Sequence, residues 1–145
     1  MVDSECWEQV ASGHAITRAG RDAAHQYPNS MIARLAGRDP AKVTGPVVTE
    51  AAEQGDQLAR GILAEVGRRL GEGIAGLVNV LDPDVVVVGG GAVAAGDLLL
   101  EPARVGFAEA VEAVEYRPEV PVLPAALGND AGAVGAAILA LELFS

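Results

Sequence analysis

Four consecutive valines, Val85, Val86, Val87 and Val88, run straight into three glycines, Gly89, Gly90 and Gly91. β-Branched side chains are stiff and favour a pleated strand. A run with no polar alternation has no solvent face. It therefore predicts a strand buried on both sides, as in the parallel sheets of α/β proteins. Asp82-Pro83, just upstream, stops the preceding helix, because proline restricts the residue before it. The glycines stand at the carboxyl end of the strand, where open α/β sheets bind ligands. Without Cβ atoms the backbone approaches a flat or charged ligand closely and exposes its N–H groups. The alternative is a tight strand-to-helix turn that binds nothing.

Gly89, Gly91 and Ala94 also satisfy the pattern G-x-G-x-x-A. The dinucleotide fingerprint expects a strand with an acidic end about 20 residues later. Here that region, around Glu109 and Glu112, reads as helix. No G-K-[ST] follows any glycine run, so a P-loop is absent.

The rest of the chain is mostly helical in pattern. A short element covers residues 6–11, and Ser12-Gly13 starts a helix that ends before Tyr27-Pro28-Asn29. Residues 31–46 read as a short helix and a loop, and Thr44-Gly45-Pro46 opens the next helix, with Pro46 suited to its first turn. Asp56 caps the clearest helix, where Leu58, Ile62, Val66, Leu70, Ile74, Leu77 and Leu81 recur at helical spacing. Gly67, Gly71, Gly73 and Gly76 weaken that helix intrinsically, which predicts close approach of another backbone.

Beyond the glycines, a helix over residues 99–114 places Val105, Ala108, Val111 and Val114 in its stripe. Residues 120–123 form a short strand whose prolines, Pro121 and Pro124, favour an edge or a strand end. Asn129-Asp130 caps a last helix over 131–143, whose Gly132, Gly135, Ala136 and Ala140 predict tight packing. Helices alternating with strands point to an α/β architecture with parallel pairing.

Composition narrows the function. The 145 residues carry a net charge of −10, which argues against nucleic acid and against anionic membrane surfaces. Half the residues are hydrophobic but only 3% aromatic, so the core is built from Ala, Val, Leu and Ile. One domain, residues 1–145, accounts for the length. The single cysteine, Cys6, rules out an internal disulfide and fits a reducing, cytoplasmic setting. Asp3, Glu5 and Glu8 leave no apolar core for a signal peptide, and Asp82, Asp84 and Asp97 interrupt the most apolar region, so no membrane span is expected.

Cys6, His14 and His25 are the only soft metal ligands, and their spacing matches no compact zinc pattern. His14 and His25 read as helix-surface residues. Glu8, next to Trp7, is a carboxylate able to accept two hydrogen bonds from vicinal sugar hydroxyls; the plainer reading is an exposed helix glutamate.

Three blocks in register resemble one family. Cys6-Trp7-Glu8-Gln9-Val10-Ala11-Ser12-Gly13 is similar to the end of the cysteine-rich signature of ROK-family sugar kinases, C-x-E-x-x-x-S-G. The stretch from Asn79 through Asp82-Pro83 and the valines to Gly91 resembles that family's helix, strand and glycine loop. Ala126-Leu127-Gly128-Asn129-Asp130-Ala131-Gly132, with Gly135-Ala136-Ala137, resembles its C-terminal helix start. Within the family the likeness is greatest to bacterial glucokinases.

This resemblance implies an actin-like, ribonuclease H-like ATPase fold and transfer of the γ-phosphoryl of ATP to a sugar hydroxyl, with Mg²⁺ shielding the phosphates. By position, Glu8 would hold sugar hydroxyls. Gly89, Gly90, Gly91 and Ala92 would lie against the adenosine of the nucleotide. Cys6 would be one ligand of a structural zinc. The sequence departs from the family at Glu5, where the pattern has glycine, and lacks the further cysteines and upstream histidine. The family's phosphate loops and catalytic aspartate belong to an N-terminal part not represented here, so no catalytic residue is assigned. The expectation is the C-terminal portion of an ATP-dependent glucokinase, inactive alone and self-associating through an apolar face. The rival expectations are the sugar-sensing part of a ROK transcriptional regulator and a non-catalytic dimerisation module.

Overall fold

The structure is a computed structural model that describes residues 6–144. The described residues form seven α-helices and a two-stranded parallel sheet. They are α1 (Trp7–Val10), α2 (Gly13–Gln26), α3 (Met31–Leu35), α4 (Gly45–Glu53), α5 (Gln57–Leu81), α6 (Asp97–Ala110) and α7 (Ala131–Phe144). The strands are β1 (Val86–Val88) and β2 (Val122–Pro124), aligned Val86 to Val122, Val87 to Leu123 and Val88 to Pro124. Departures at Glu5 and upstream lie outside the described residues.

Side-chain caps start the helices where the sequence places them. Ser12 Oγ accepts from Ala15 N–H at 3.4 Å. Asp56 serves two segments: Oδ1 accepts from Ala59 N–H at 2.9 Å, and Oδ2 from Met31 N–H at 3.0 Å. One carboxylate thus satisfies the first turn of α5 and fixes the start of α3 to it. Pro46 sits in the first turn of α4, as expected. The carboxyl end of α5 stops at Asp82 in a left-handed conformation, φ 48°, and Arg117 pairs with Asp82 there.

The core divides in two. Ile16, Ile32, Val43, Val48, Leu63 and Leu99 are among the residues of a helical cluster, while Ile74, Val78, Val120 and Val122 form a second one under the sheet. α5 spans both, and here the stripe expected along it is corrected. Leu63 and Val78 are fully buried, whereas Leu77 and Leu81 are exposed. On a helix of 3.6 residues per turn each four-residue step of this stripe turns about 40°, and the three-residue step from Ile74 to Leu77 turns back only about 60°. The stripe from Leu58 to Leu81 therefore winds around the helix and cannot face one neighbour throughout.

α6 packs along α5 through small residues, and the valine stripe expected for it is also corrected. Leu99, Leu100, Ala103 and Gly106 are buried, while Val105 and Val114 are exposed. A Cβ on Gly71 would lie 1.9 Å from the Ala103 carbonyl oxygen, and one on Gly67 would lie 2.4 Å from that of Leu99. The close approach predicted from the glycines is real at these positions. Gly73 makes room instead for the Trp7 indole, 2.0 Å from where its Cβ would be. Gly76 has open space around it, so the prediction does not extend to it.

Two further expectations change. Val86 and Val88 pack on the second cluster, but Val85 and Val87 are exposed, so β1 is buried on one face only. Residues 131–143 of α7 are all exposed, and Gly132 and Gly135 have nothing within 4 Å of a would-be Cβ, so this helix is not tightly packed. None of the described helices is long and apolar enough to cross a membrane.

Candidate functional site

The glycine loop forms part of the wall of a cavity of about 740 Å³. Three elements meet there. The first is the carboxyl end of β1, with Val88, Gly89, Gly90, Gly91 and Ala92 on the cavity wall. Gly90 adopts φ 90°, ψ 175°, a conformation open to glycine and strained for side chains. A 3₁₀ turn over Gly91–Ala95 follows, before α6 begins at Asp97. The glycines therefore do not open directly into an α-helix, and the dinucleotide fingerprint lacks its helix start.

The second element is the start of α2, where Ser12, Gly13 and His14 line the cavity. It comes close to the loop: a Cβ on Gly13 would be 4.0 Å from the Ala92 Cβ. The third is α4, whose Thr44, Gly45, Thr49, Glu50 and Glu53 form the opposite wall. Glu50 accepts from Gln54 Nε2 at 3.2 Å. Sequence reasoning missed this wall. Gly45-Pro46 was legible only as a helix start, and nothing local marks which face of α4 looks across at a loop some forty residues away.

Among the described residues no lysine or arginine lines the cavity, and the charged side chains there are the two glutamates. Such a surface repels a polyphosphate and suits an uncharged, hydroxyl-rich group. Hydroxyls of a ligand can donate to the glutamate carboxylates, and the glycine loop leaves room for a flat ring.

Glu8 and Cys6 stand outside this cavity, and both are exposed. α1 is fixed to α5 by Trp7, whose Nε1–H donates to the Arg69 carbonyl at 2.9 Å. Arg18 reaches back to the Gln9 carbonyl at 3.0 Å. Glu8 is thereby held on an anchored turn, and Ala11 and Ser12 just after it line the cavity. Cys6 is a free thiol. Among the described residues no three His, Cys, Asp or Glu side chains come together to hold a metal ion. Cys6 by itself does not make the four-ligand set of a structural zinc. His14 and His25 are exposed, as read from their positions.

Helices packed on a parallel strand pair make an α/β arrangement, and its likeness to solved ROK sugar kinases assigns it to part of an actin-like ATPase fold. A ROK-family glucokinase from Streptomyces griseus, solved in complex with glucose and AMPPNP, matches with TM-score 0.84 and 39% identity, over 92% of this chain and 44% of that one. The chain belongs to the ROK family, whose profile matches residues 3–143. The glucokinase of Streptomyces coelicolor is 40% identical over 139 residues, which is 94% of this chain and 44% of that protein. A ROK family transcriptional regulator, a homologue of the E. coli MLC protein, shares the fold with TM-score 0.70 at 24% identity, over 82% of this chain and 28% of that one. The chain thus spans less than half the length of the kinases it matches.

Proposed function

We propose that the chain carries the adenosine side of the ATP site, and part of the sugar site, of a ROK-family glucokinase. One observation carries this reading: a cavity floored by Gly89, Gly90, Gly91 and Ala92 that offers hydroxyl acceptors and no cation. It suits adenosine and leaves the phosphates to lie elsewhere. Glu8 accepts from vicinal hydroxyls of the sugar, beside the turn that leads into the cavity. The complex of the Streptomyces griseus relative with glucose and AMPPNP supports the pairing of these two ligands.

In the reaction proposed, the bond between the γ-phosphorus and its bridging oxygen breaks, and the sugar 6-hydroxyl oxygen bonds to that phosphorus. The hydroxyl proton needs a base, and phosphoryl transfer needs positioned positive charge around the phosphates. The cavity holds the carboxylates of Glu50 and Glu53 but no positively charged side chain to position the phosphates. The chain alone is therefore a binding portion that phosphorylates glucose negligibly. The rival reading, a sugar-sensing role, predicts sugar binding with no response to nucleotide.

Titration calorimetry with ATP and adenosine, beside a coupled glucose-phosphorylation assay, tests the reading. Weak binding of both ligands and no turnover are expected. Gly91→Val adds bulk where a Cβ meets nothing within 4 Å, so it should weaken binding at least tenfold without unfolding the chain. Absence of binding to ATP, or equal binding by the variant, contradicts the nucleotide site. Turnover near that of an ordinary kinase contradicts the incomplete chemistry.

A further inference from the structure

A second cavity, of about 540 Å³, shares no residue with the first. It lies between the carboxyl half of α6, the loop that follows it, and β2. Phe107, Val111, Val114, Val120 and Leu123 give it an apolar wall. Its volume suits one small molecule. The loop is pinned to α5 at two points. Glu112 N–H donates to Asn79 Oδ1 at 3.0 Å, and the Arg117 guanidinium donates to the Val78 carbonyl at 3.5 Å and pairs with Asp82. The walls are therefore tied down before any ligand arrives, which lowers the ordering cost of binding.

The polar groups on this wall define what fits. Arg117 is one of them, with its side chain only 13% exposed. Its Nε–H is buried and has no acceptor among the described residues. A buried donor left unbonded is costly, and a native structure that keeps one calls for an explanation. An acceptor is missing there, but negative charge is not. Arg117 is already paired with Asp82. Arg104, the other cation on the wall, pairs with Asp97 and Glu101 and donates through Nε to the Val122 carbonyl at 3.1 Å. Glu119 lines the cavity as well. These four carboxylates outnumber the two guanidinium groups, so an anionic ligand gains nothing by giving up its hydration here.

We propose that this second cavity binds a small, uncharged, apolar molecule bearing one carbonyl-type oxygen. The oxygen accepts from Arg117 Nε–H, and the apolar body rests on Phe107, Val111 and Leu123. This inference does not rest on the nucleotide reading, and the carboxylates around the cavity repel a polyanion such as ATP.

The test is a two-dimensional NMR titration of the full chain with three probes of similar shape. Acetophenone has a ring and a carbonyl, ethylbenzene lacks the oxygen, and benzoate adds a charge. Acetophenone should shift amides within residues 107–123 and move the Arg117 Nε–H proton downfield. It should bind about fivefold tighter than ethylbenzene, the worth of one hydrogen bond. Benzoate should bind more weakly than either. Arg117→Met keeps the apolar stem and removes the donors, so it should bind acetophenone and ethylbenzene alike. Val114→Lys puts a charged chain on the rim at a residue 65% exposed, so it should melt as the parent does and weaken both rings at least threefold. If Arg117→Met does not fold, the Nε–H signal of the parent and Val114→Lys decide. No shifts from acetophenone, an unmoved Arg117 Nε–H, or ethylbenzene bound as tightly by the parent overturns the proposal. Tighter binding of benzoate also overturns it, because the cavity is then an anion site. All three titrations are run without nucleotide, so failure to bind ATP counts against the proposed function and leaves this site standing.

Discussion

Two glycines of α5, five residues apart, separate packing from propensity. Gly71 faces α6, where a Cβ would meet the Ala103 carbonyl oxygen at 1.9 Å and the Phe107 amide nitrogen at 2.6 Å. These are backbone atoms, so the helices themselves must separate. Gly71→Ala should cost about 3 kcal/mol or more, the upper range for overpacking. Gly76 is exposed, with nothing near its would-be Cβ. Gly76→Ala should stabilise by about 0.5–1 kcal/mol, the usual gain in helix propensity over glycine. Urea denaturation of both variants checks the pair; equal effects would mean that α5 and α6 do not meet as described. The sequence announces glycines that cost helix propensity. It does not say which of them a neighbour uses, because that depends on the rotation of α5 against α6.

At the scale of elements, start and stop signals were legible and burial was not. Ser12 and Asp56 cap helices where their side chains predict, and Asp82-Pro83 ends α5, since these are local matters of backbone hydrogen bonding. The faces of α5 and α6 that meet are only partly the ones their large side chains mark: Val66 and Ile74 are buried, but Leu77, Leu81, Val105 and Val114 are exposed. The interface is instead made of Gly67, Gly71, Ala103 and Gly106, which let two backbones come close. β1 reads as buried on both faces, but among the described residues it has one neighbour and one covered face. α7 behaves similarly: Ile138, Leu139, Leu141 and Leu143 are all more than half exposed on it. Ending the chain after Asp130 should leave the melting temperature within about 2 °C of the parent, since little apolar area is lost from the core. It should also reduce concentration-dependent association, as read by light scattering. A large fall in melting temperature would show that α7 is packed after all.

For the whole molecule, function depends on which distant segments the packing brings together. The glycine loop after the valines, read as a ligand floor, opens on a cavity with α2 beside it. The acidic wall on α4 was invisible because it comes together only through tertiary packing. The resemblance to ROK kinases, carried by three short blocks, is matched by a family profile over residues 3–143. The central claim is that this cavity receives the adenosine of a nucleotide. The most direct measurement is a two-dimensional amide NMR titration of the chain with ATP. The account predicts shifts concentrated at residues 89–92, at Gly13 and His14, and along Thr49, Glu50 and Glu53. Shifts gathered instead around Phe107, Val120 and Leu123, which line a second cavity of about 540 Å³, or no shifts at saturating ATP, would contradict it.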